Sequence, residues 1–255
     1  MKILLVGGSG NVGTCIIPYL RQQYEIRVLD VRPPPHADVE FVEGSIADPH
    51  ALERALHGVD SFVAMVMKSP QDGSVTDQTP SSIADNYSIN ALGLHLLLHT
   101  AHQAGIRRGV YTSSASVHDR ERDYFPSEEQ VPLDGPSVYG LTKGFGELIC
   151  AYFCRWFDMN IVALRLSGPS SRQHYLEYRR NPELRPNGHP YLYVTDEEDL
   201  ARAYSAALRV VEKGHGRFEA IYVTGDETGQ EWNLSKAEWL LGWHPESQRF
   251  VDAPR

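Results

Sequence analysis

The chain begins with the residues MKILLVGGSGNVG, numbered 1–13, and this stretch decides the fold. Lys2–Val6 is a short run of strand-forming residues. It leads directly into Gly7, Gly10 and Gly13, three glycines at intervals of three residues. Glycines at this spacing allow a tight turn into a helix, a close approach of the backbone to a pyrophosphate, and contact between helix and strand. The stretch therefore predicts a strand, a phosphate-binding loop and the start of a helix.

An acidic residue stands where a second part of this pattern requires one. The predicted strand Glu25–Asp30 ends in a carboxylate, 20 residues after Gly10. Such a carboxylate can accept hydrogen bonds from the adenosine ribose hydroxyls, and it repels a 2′-phosphate. We therefore expect NAD rather than NADP as cofactor, with Arg32 partly offsetting the repulsion. The alternative is a glycine-rich turn without a ligand, in which Asp30 is an ordinary turn residue.

Runs of β-branched and other apolar residues alternate with helical patterns along the chain. Strands are predicted at Lys2–Val6, Glu25–Asp30, Val39–Val42, Ser61–Met67, Gly109–Thr112 and Ile161–Leu166. Helices are predicted at Asn11–Gln23, at Pro49–Leu56 behind the N-cap Asp48, from a capping box of Ser82 and Asp85 to Gly105, and at Ser137–Phe157. This alternation predicts an α/β fold with a doubly wound parallel sheet, the Rossmann fold, as a single domain over residues 1–255 with a small C-terminal substrate-binding portion.

Three stretches interrupt the alternation, and each directly follows a predicted strand. They are Lys68–Thr79, Ala115–Gly135 and Ser167–Thr195. Ligands of such sheets bind beyond the carboxyl ends of the strands, so we expect these stretches at the ligand edge. Residues 167–195 and 225–255 are predicted to be elaborations on the substrate side.

The segment from Ser167 to Pro190 is positively charged, although the formal net charge of the whole chain is −9. Its charged residues are Arg172, Arg179, Arg180 and Arg185 against Glu177 and Glu183. Guanidinium groups bind carboxylates through two parallel hydrogen bonds, so we expect an anionic substrate group here, with Arg172 as its first contact. A solvated loop is the alternative.

Composition and charge argue against several classes of function. Apolar residues make up 42% of the 255 positions and charged residues 22%, which is typical of a globular protein. The net negative charge argues against nucleic acid and anionic membranes as partners. The first apolar run is too short for a signal peptide, and the three cysteines are an odd count, so we expect a cytoplasmic protein with reduced thiols.

Tyr139 and Lys143 lie four residues apart near the start of a predicted helix, so both project from one helix face. An ammonium group beside a phenol favours the phenolate, which can then act as an acid or a base near neutral pH. A hydroxyl at the end of the preceding strand, that of Ser113 or Ser114, can hold the substrate oxygen. The spacing predicts a site for proton transfer.

The sequence resembles the extended branch of the short-chain dehydrogenases/reductases, which comprises NAD-dependent epimerases, dehydratases and sugar dehydrogenases. The resemblance covers nearly the whole chain. Its motifs are Gly7-x-x-Gly10-x-x-Gly13, Asn90-Ala-Leu-Gly93, Val110-Tyr-Thr-Ser-Ser-Ala-Ser-Val117, Tyr139-Gly-Leu-Thr-Lys143, Leu164-Arg165, Val194-Thr-Asp196-x-x-Asp199 and Leu241-Gly-Trp243-x-Pro245. By this resemblance Ser114 orients the substrate oxygen, Tyr139 is the acid or base, and Lys143 tunes the phenol and binds the cofactor ribose.

The interpretation as a member of this branch supplies two sets of binding residues. The cofactor-binding set is Gly7, Ser9, Gly10, Asn11, Val12, Gly13, Asp30, Arg32, Ser45, Ile46, Met65, Asn90, Tyr139 and Lys143. The substrate-binding set is Met67, Ser114, Ala115, Ser116, Ser167 and Arg172. No metal is expected, and a homodimer is expected through the helices at 82–104 and 137–157.

Within the branch, the sequence resembles the uronate dehydrogenases. Only 112 residues follow Lys143, and the aromatic residues of 231–243 resemble theirs, whereas Ala115 and Ser116 replace their Asn-His pair. The resemblance implies NAD-dependent oxidation of a free, acidic aldose at its anomeric carbon to a lactone. The alternatives are a sugar-nucleotide epimerase or dehydratase, and a catalytically idle NAD-binding protein.

Several further residues are expected to have structural roles. Three histidines recur at helical spacing, namely His95, His99 and His102. Nothing nearby completes a metal-ligand set, which favours an interface or a solvated face over a metal site. Asp196 and Asp199 are expected to cap the helix that follows them, and Arg165 is expected to be structural.

Overall fold

The computed structural model describes residues 1–68, 78–119, 121–181 and 193–252. Its strands are β1 (Lys2–Val6), β2 (Glu25–Asp30), β3 (Glu40–Glu43), β4 (Ser61–Ala64), β5 (Arg108–Ser114), β6 (Asn160–Leu166), β7 (Pro169–Ser170), β8 (Thr195–Asp196) and β9 (Phe218–Val223). Its α-helices are α1 (Asn11–Leu20), α2 (Pro49–Leu56), α3 (Pro80–Asn86), α4 (Leu94–Gln103), α5 (Val138–Phe157), α6 (Arg172–Arg180), α7 (Glu197–Lys213) and α8 (Gln248–Asp252). The predicted α/β fold is confirmed.

Seven parallel strands form one sheet in the order β3-β2-β1-β4-β5-β6-β9, and β7 pairs with β8 in a separate parallel ribbon. The chain first moves outward from β1 to β3, then returns to β4 on the other side of β1. This reversal leaves a crevice beyond the carboxyl ends of β1 and β4, where ligands bind in open α/β sheets. The glycine loop after β1 lies at that crevice.

Glycines let α1 lie close to the sheet. A Cβ atom at Gly13 would lie 2.2 Å from the carbonyl oxygen of Gly8, and a Cβ atom at Gly8 would lie 2.9 Å from Cγ2 of Val28. On this face of the sheet α1 packs against α7 over a buried apolar cluster that includes Ile16 and Tyr204. Helices α2, α4 and α5 cover a second cluster on the opposite face.

Two element boundaries differ from their predicted positions because of neighbouring groups. Strand β4 ends at Ala64 rather than Met67, because its partner β1 ends at Val6, which is paired with Ala64. The helix predicted from Ser82 and Asp85 begins at Pro80, since Thr79 is the N-cap and exchanges capping hydrogen bonds with Ser82. A π-helical segment, Tyr87–Gly93, joins α3 to α4.

Smaller differences occur elsewhere. Helix α1 ends at Leu20 rather than Gln23, and β3 begins one residue later than predicted, at Glu40. The α2 prediction is correct, including the Asp48 N-cap, whose side chain accepts from the His50 amide.

The segment after β9 is fixed to α7 through buried polar contacts. Asp196 caps α7 as predicted, accepting a hydrogen bond from the Glu198 amide. Asp199 has a different role from the predicted cap, because its carboxylate accepts hydrogen bonds from the backbone amides of Glu246 and Ser247. The buried Trp243 indole donates to the Asp199 carbonyl at 2.9 Å. No helix of the described residues could span a membrane.

Candidate active site

The loop after β1 has the shape that a pyrophosphate requires. Gly7 has a φ of +87°, in the left-handed region, and a Cβ atom there would lie 2.7 Å from the Val66 amide nitrogen. The Gly10 amide donates to the Gly7 carbonyl at 3.1 Å and closes the turn. Gly10 is also the N-cap of α1, and no side chain caps the helix. An uncapped helix N-terminus next to a loop with glycines at positions 7, 8 and 10 fits a pyrophosphate.

Asp30 is held at the rim of this loop. Its carboxylate accepts hydrogen bonds from the Ser9 amide at 3.0 Å and from the Arg32 amide at 3.2 Å. The Ser9 hydroxyl donates to the Arg32 carbonyl at 2.7 Å, and Asn11 donates from its side chain to the Pro169 carbonyl at 2.9 Å. Each Asp30 oxygen has a further lone pair available, so the residues present fit an adenosine ribose as well as a pyrophosphate.

Further members of the predicted cofactor set follow β3 and β4. Ile46 and Met65 are buried, and the Ser45 hydroxyl accepts from the Ala47 amide at 3.2 Å. Ile46 packs against Gly93, where a Cβ atom would lie 2.6 Å from Ile46 Cγ2. These residues follow the carboxyl ends of β3 and β4, at the same edge of the sheet as the glycine loop.

Asn90, predicted to bind the cofactor, has side-chain hydrogen bonds within the protein. Its side-chain carbonyl accepts from the Lys68 amide at 2.8 Å. Its amide group donates to the Lys68 carbonyl, the Asn86 side chain and the Thr142 hydroxyl, at 2.9 to 3.1 Å. These acceptors occupy both Asn90 donors, so we assign Asn90 to fixing the segment after β4 against α5.

Lys143 is fully buried between the ends of two central strands. Its ammonium group donates to the Thr112 carbonyl at 2.9 Å and to the Val66 carbonyl at 3.3 Å, and it lies 5.0 Å from the centre of the Tyr111 ring. Burial lowers the pKa of Lys143 to about 7. The carbonyls place the amine at the carboxyl edge of the sheet, beside the crevice.

Tyr139 lies one helical turn before Lys143 and is partly buried. Its hydroxyl donates to the sulfur of Met67 at 3.7 Å. The next residue, Gly140, packs on the turn after β5, where a Cβ atom would lie 2.0 Å from the Ser116 carbonyl oxygen. This close packing brings Tyr139 beside residues 114–116.

The structure separates the two candidate serines at the end of β5. The Ser113 hydroxyl donates to the buried carboxylate of Glu147 at 2.6 Å. The Ser114 hydroxyl accepts from the Ser116 amide at 3.1 Å and lies at the start of the 3-10 turn Ala115–Val117. Ser114 is therefore the serine at the crevice, and its hydroxyl proton is not used in that bond.

A buried polar network behind these residues was missed by sequence reasoning, apart from the expectation that Arg165 is structural. The Arg165 guanidinium binds Glu147 through two hydrogen bonds of 2.7 and 2.9 Å. His118, which is fully buried, contacts Arg165 and the Tyr222 hydroxyl at 3.1 Å each. Burial and then Arg165 lower the pKa of His118 to about 4. The hydrogen-bonded partners in this network are 18 to 104 positions apart, so no local spacing in the sequence marks them.

Arg172, predicted to bind an anionic substrate group, has other partners. Its guanidinium forms two hydrogen bonds of 2.5 and 2.7 Å with the buried carboxylate of Asp196, and one of 3.0 Å with Glu198. It also stacks on the Phe250 ring at 3.3 Å. These contacts direct the hydrogen-bonding face of Arg172 at two carboxylates, and the predicted contact with a substrate anion stays a prediction.

The other predicted residues of this region have contacts within the protein or lie outside the described residues. Arg179 donates to Gln248, and Arg180 donates to the Phe250 carbonyl. The Ser167 amide donates to the Val223 carbonyl of β9, and the Ser167 carbonyl accepts from the Thr195 hydroxyl. Arg185 lies outside the described residues, as do residues 69–77 of the stretch after β4.

Two histidines of α4 pack against aromatic residues of α5. The His95 ring packs on Phe153 with centres 5.2 Å apart, and the His102 ring packs on Phe157 at 5.1 Å. Within the ranges that the structure describes, no group of three His, Cys, Asp or Glu side chains could hold a metal ion.

Three comparisons relate the chain to known proteins. A model of the NAD dependent epimerase/dehydratase family matches residues 3–225. The uncharacterized protein y4nG of Sinorhizobium fredii is 32% identical over 221 residues, 81% of this chain and 53% of that protein. NAD-dependent glucose-6-phosphate dehydrogenase of Haloferax volcanii is 22% identical over 264 residues, 96% of this chain and 92% of that protein. A solved structure of a mutated uronate dehydrogenase has a TM-score of 0.76 and 22% identity, covering 98% of this chain and 85% of that one.

The chain spans about half or less of the length of the first curated relatives that it matches. The likeness to the uronate dehydrogenase structure concerns the fold.

Proposed function

Because the chain belongs to the NAD-dependent epimerase/dehydratase family, we propose that it is a dehydrogenase that oxidises a free, acidic aldose at its anomeric carbon to a lactone. Family membership confirms the resemblance that the motifs predicted and makes NAD the cofactor. The dehydrogenase activity and the acidic aldose go beyond the family, and they are the content of the proposal.

One observation carries the proposal, namely the convergence of Ser114, Tyr139 and Lys143 at the carboxyl edge beside the glycine loop. Lys143 is held by carbonyls of β5 and of the segment after β4. Tyr139 stands on the same helix face, and its helix packs directly on the turn that contains Ser114. A base, a hydroxyl and a cofactor loop in one crevice support alcohol oxidation.

The roles of the residues follow from this placement. Tyr139, as phenolate, removes the proton of the anomeric hydroxyl, and Ser114 donates a hydrogen bond that orients its oxygen. The Lys143 amine carries charge in part of the molecules near pH 7, and that charge favours the phenolate. The glycine loop would hold the pyrophosphate, Asp30 the adenosine ribose and Lys143 the second ribose. NAD, when bound, supplies the acceptor for the hydride.

The acidic aldose is supported by the Haloferax relative, which is named for a sugar with an anionic phosphate and is matched over 92% of its length. Arg172, the cation expected to bind that anion, is paired with Asp196. The sugar specificity is therefore the part of the proposal that most needs a direct assay.

Two further parts of the proposal concern the cellular compartment of the protein and its oligomeric state. We place it in the cytoplasm, because all three cysteines are buried, unpaired thiols. We also propose a homodimer, for which the exposed apolar residues of α5 are the support.

A spectrophotometric screen for NADH tests the function. The panel contains uronates, aldose phosphates, sulfonated sugars and neutral aldoses, with nucleotide sugars as controls. We expect NADH to accumulate in proportion to an acidic free sugar, with a lactone as product. Greater activity on neutral aldoses contradicts the acidic substrate. Conversion of a nucleotide sugar without net NADH supports the epimerases, which share this family.

A further inference from the structure

The sulfur of Met67 occupies an unusual position, in direct contact with the hydroxyl of Tyr139 at 3.7 Å. The backbone on both sides of Met67 is fixed, because the Met65 amide donates to the Val6 carbonyl and Lys68 is bound by Asn90. The Met67 side chain is nevertheless 48% exposed. A solvent-accessible thioether therefore lies on the group that we propose as the base.

Met67 is also the most accessible of the chain's oxidisable sulfurs. Of the four methionines, Met65 and Met159 are buried at 6% and 1%, and Met1 is 38% exposed. The cysteines are all buried, and burial raises the pKa of their thiols, to about 11 for Cys15 and about 12 for Cys154. Thiolates are the reactive form and exposure governs methionine oxidation, so a mild oxidant meets Met67 first.

We propose that Met67 is an oxidation-sensitive modification site through which a peroxide silences Tyr139. In this step the peroxide O–O bond breaks, one oxygen forms a bond to Sδ, and the other leaves as water. The sulfur loses two electrons and the peroxide gains them. The silencing rests on the proposed function, whereas the selective oxidation of Met67 does not.

The consequence for Tyr139 follows from the change in hydrogen-bond acceptor. A thioether sulfur is a weak acceptor, whereas a sulfoxide is polar and has an oxygen acceptor. That oxygen binds the Tyr139 hydroxyl in place of the substrate oxygen and holds its proton. Because the glycine loop and Asp30 are untouched, NAD binding is retained while turnover is lost.

The test treats the purified protein with hydrogen peroxide, removes the peroxide with catalase, and measures sulfoxide at each methionine by peptide mass spectrometry. We expect Met67 to gain an oxygen atom before Met65, Met159 and Met1. Oxidation of the other methionines at the same rate or earlier overturns the proposal, whatever the protein's activity.

The second readout is turnover on the sugar found in the NADH screen, together with NAD binding by fluorescence. Turnover should fall at least about tenfold as Met67 is oxidised, with NAD affinity retained, and methionine sulfoxide reductases should restore it. A fully oxidised Met67 with undiminished turnover overturns the proposal. Absence of turnover before oxidation speaks instead against the proposed function, and the peptide measurement still decides the modification.

Three variants separate the sulfur from other effects. Met67→Leu should show the same turnover before and after peroxide, because no oxidisable sulfur remains at Tyr139. Met159→Leu removes a buried methionine, keeps Met67 and should stay sensitive. Met67→Gln places an amide oxygen near Tyr139 and should reproduce the low turnover without peroxide. Sensitivity of Met67→Leu equal to that of the parent overturns the proposal.

Discussion

Tyr139 is the residue whose role can be tested by removing a single oxygen atom. Tyr139→Phe retains the ring that packs near residues 114–116 but has no proton to transfer. We expect turnover to fall by about 100-fold or more, with the Kd for NAD changed little. NADH production and NAD fluorescence titration measure the two effects. Tyr24→Phe, at the turn before β2, is the matched control, and turnover of Tyr139→Phe above a few per cent of the parent would exclude the phenolate.

Asp30 is the residue that we expect to set the preference for NAD over NADP. Its carboxylate lies at the loop rim and would meet a 2′-phosphate with like charge, so kcat/KM should favour NAD by at least about tenfold, or about 1.4 kcal/mol. Asp30→Asn keeps an acceptor for one loop amide while removing the charge, and it should reduce this preference. A preference of the parent enzyme for NADP would show that Arg32 outweighs Asp30.

The placement of residues could be predicted from the sequence where local spacing decides it, and not where distant partners do. The four-residue spacing of Tyr139 and Lys143 is local, as is the spacing of the loop glycines. The pairing of Arg172 with Asp196 joins residues 24 positions apart, and it engages the guanidinium group that we predicted to bind an anion. Ser113 is withdrawn from the crevice by Glu147, 34 residues later. No pattern in the sequence marks these partners.

The buried network joins α5, β6 and β9 to the segment after β5, and His118 makes it sensitive to acid. The folded-state pKa of His118 is about 4, against an ordinary value of 6.5, because burial and Arg165 disfavour the charged form. The unfolded chain therefore binds a proton that the folded chain does not, and stability decreases as the pH falls from 6.5 toward 4. Between pH 7.5 and 5.0 we expect a loss of about 2 kcal/mol from this residue.

Urea unfolding at the two pH values measures this loss. His118→Asn keeps an amide donor for the Pro132 carbonyl, which His118 contacts at 2.7 Å, but does not titrate. Its stability should depend less on pH than that of the parent by about the same 2 kcal/mol. His50→Asn, at an exposed histidine in α2, is the control for replacing a histidine by asparagine. Equal pH dependence in His118→Asn and the parent contradicts the prediction.

Arg172 connects α6 to β8, and its loss should be seen in stability rather than in substrate affinity. Arg172→Ala leaves the carboxylate of Asp196, which is buried, without its cation, so we expect unfolding to become easier by about 1–3 kcal/mol. The KM values for an acidic sugar and its neutral analogue should change equally. Thermal unfolding and kinetics on both sugars measure this. A rise in KM confined to the acidic sugar would restore the predicted substrate contact.

Elements were predictable in kind because apolar periodicity reflects burial, but their ends depend on neighbours. The apolar run of β4 continues to Met67. Pairing with β1 nevertheless stops at Ala64, because β1 ends at its partner Val6. The N-cap Thr79 sets the start of α3, and it precedes the residues whose apolar spacing predicted the helix. Helix α6 lies in the segment after β6 that is predicted to be a loop, because its charged residues give no clear apolar periodicity.

Across the whole molecule, α5 has two apolar faces where a surface helix ordinarily has one. Cys150 and Phe153 are buried against the sheet. A second stripe at helical spacing is exposed and consists of Leu141, Phe145, Leu148, Tyr152 and Trp156. It is extended by Leu92, between α3 and α4, which is 55% exposed. An exposed apolar stripe of this extent marks an interaction surface, and a second copy of the chain can cover it with the same residues.

The homodimer is therefore expected to depend on this stripe, and one charged residue at its centre should disrupt it. Leu148, 58% exposed, would face the partner helix across a twofold axis, so a glutamate there would bring two like charges together in an apolar interface. Light scattering after size-exclusion chromatography should give twice the monomer mass of 28.6 kDa for the parent and the monomer mass for Leu148→Glu. Trp239→Glu alters a residue that is still more exposed, at 72%, but lies after β9 and away from α5, so it should remain dimeric. A monomeric parent at micromolar concentration, or dissociation by both variants alike, would show that the α5 stripe is not the dimer contact.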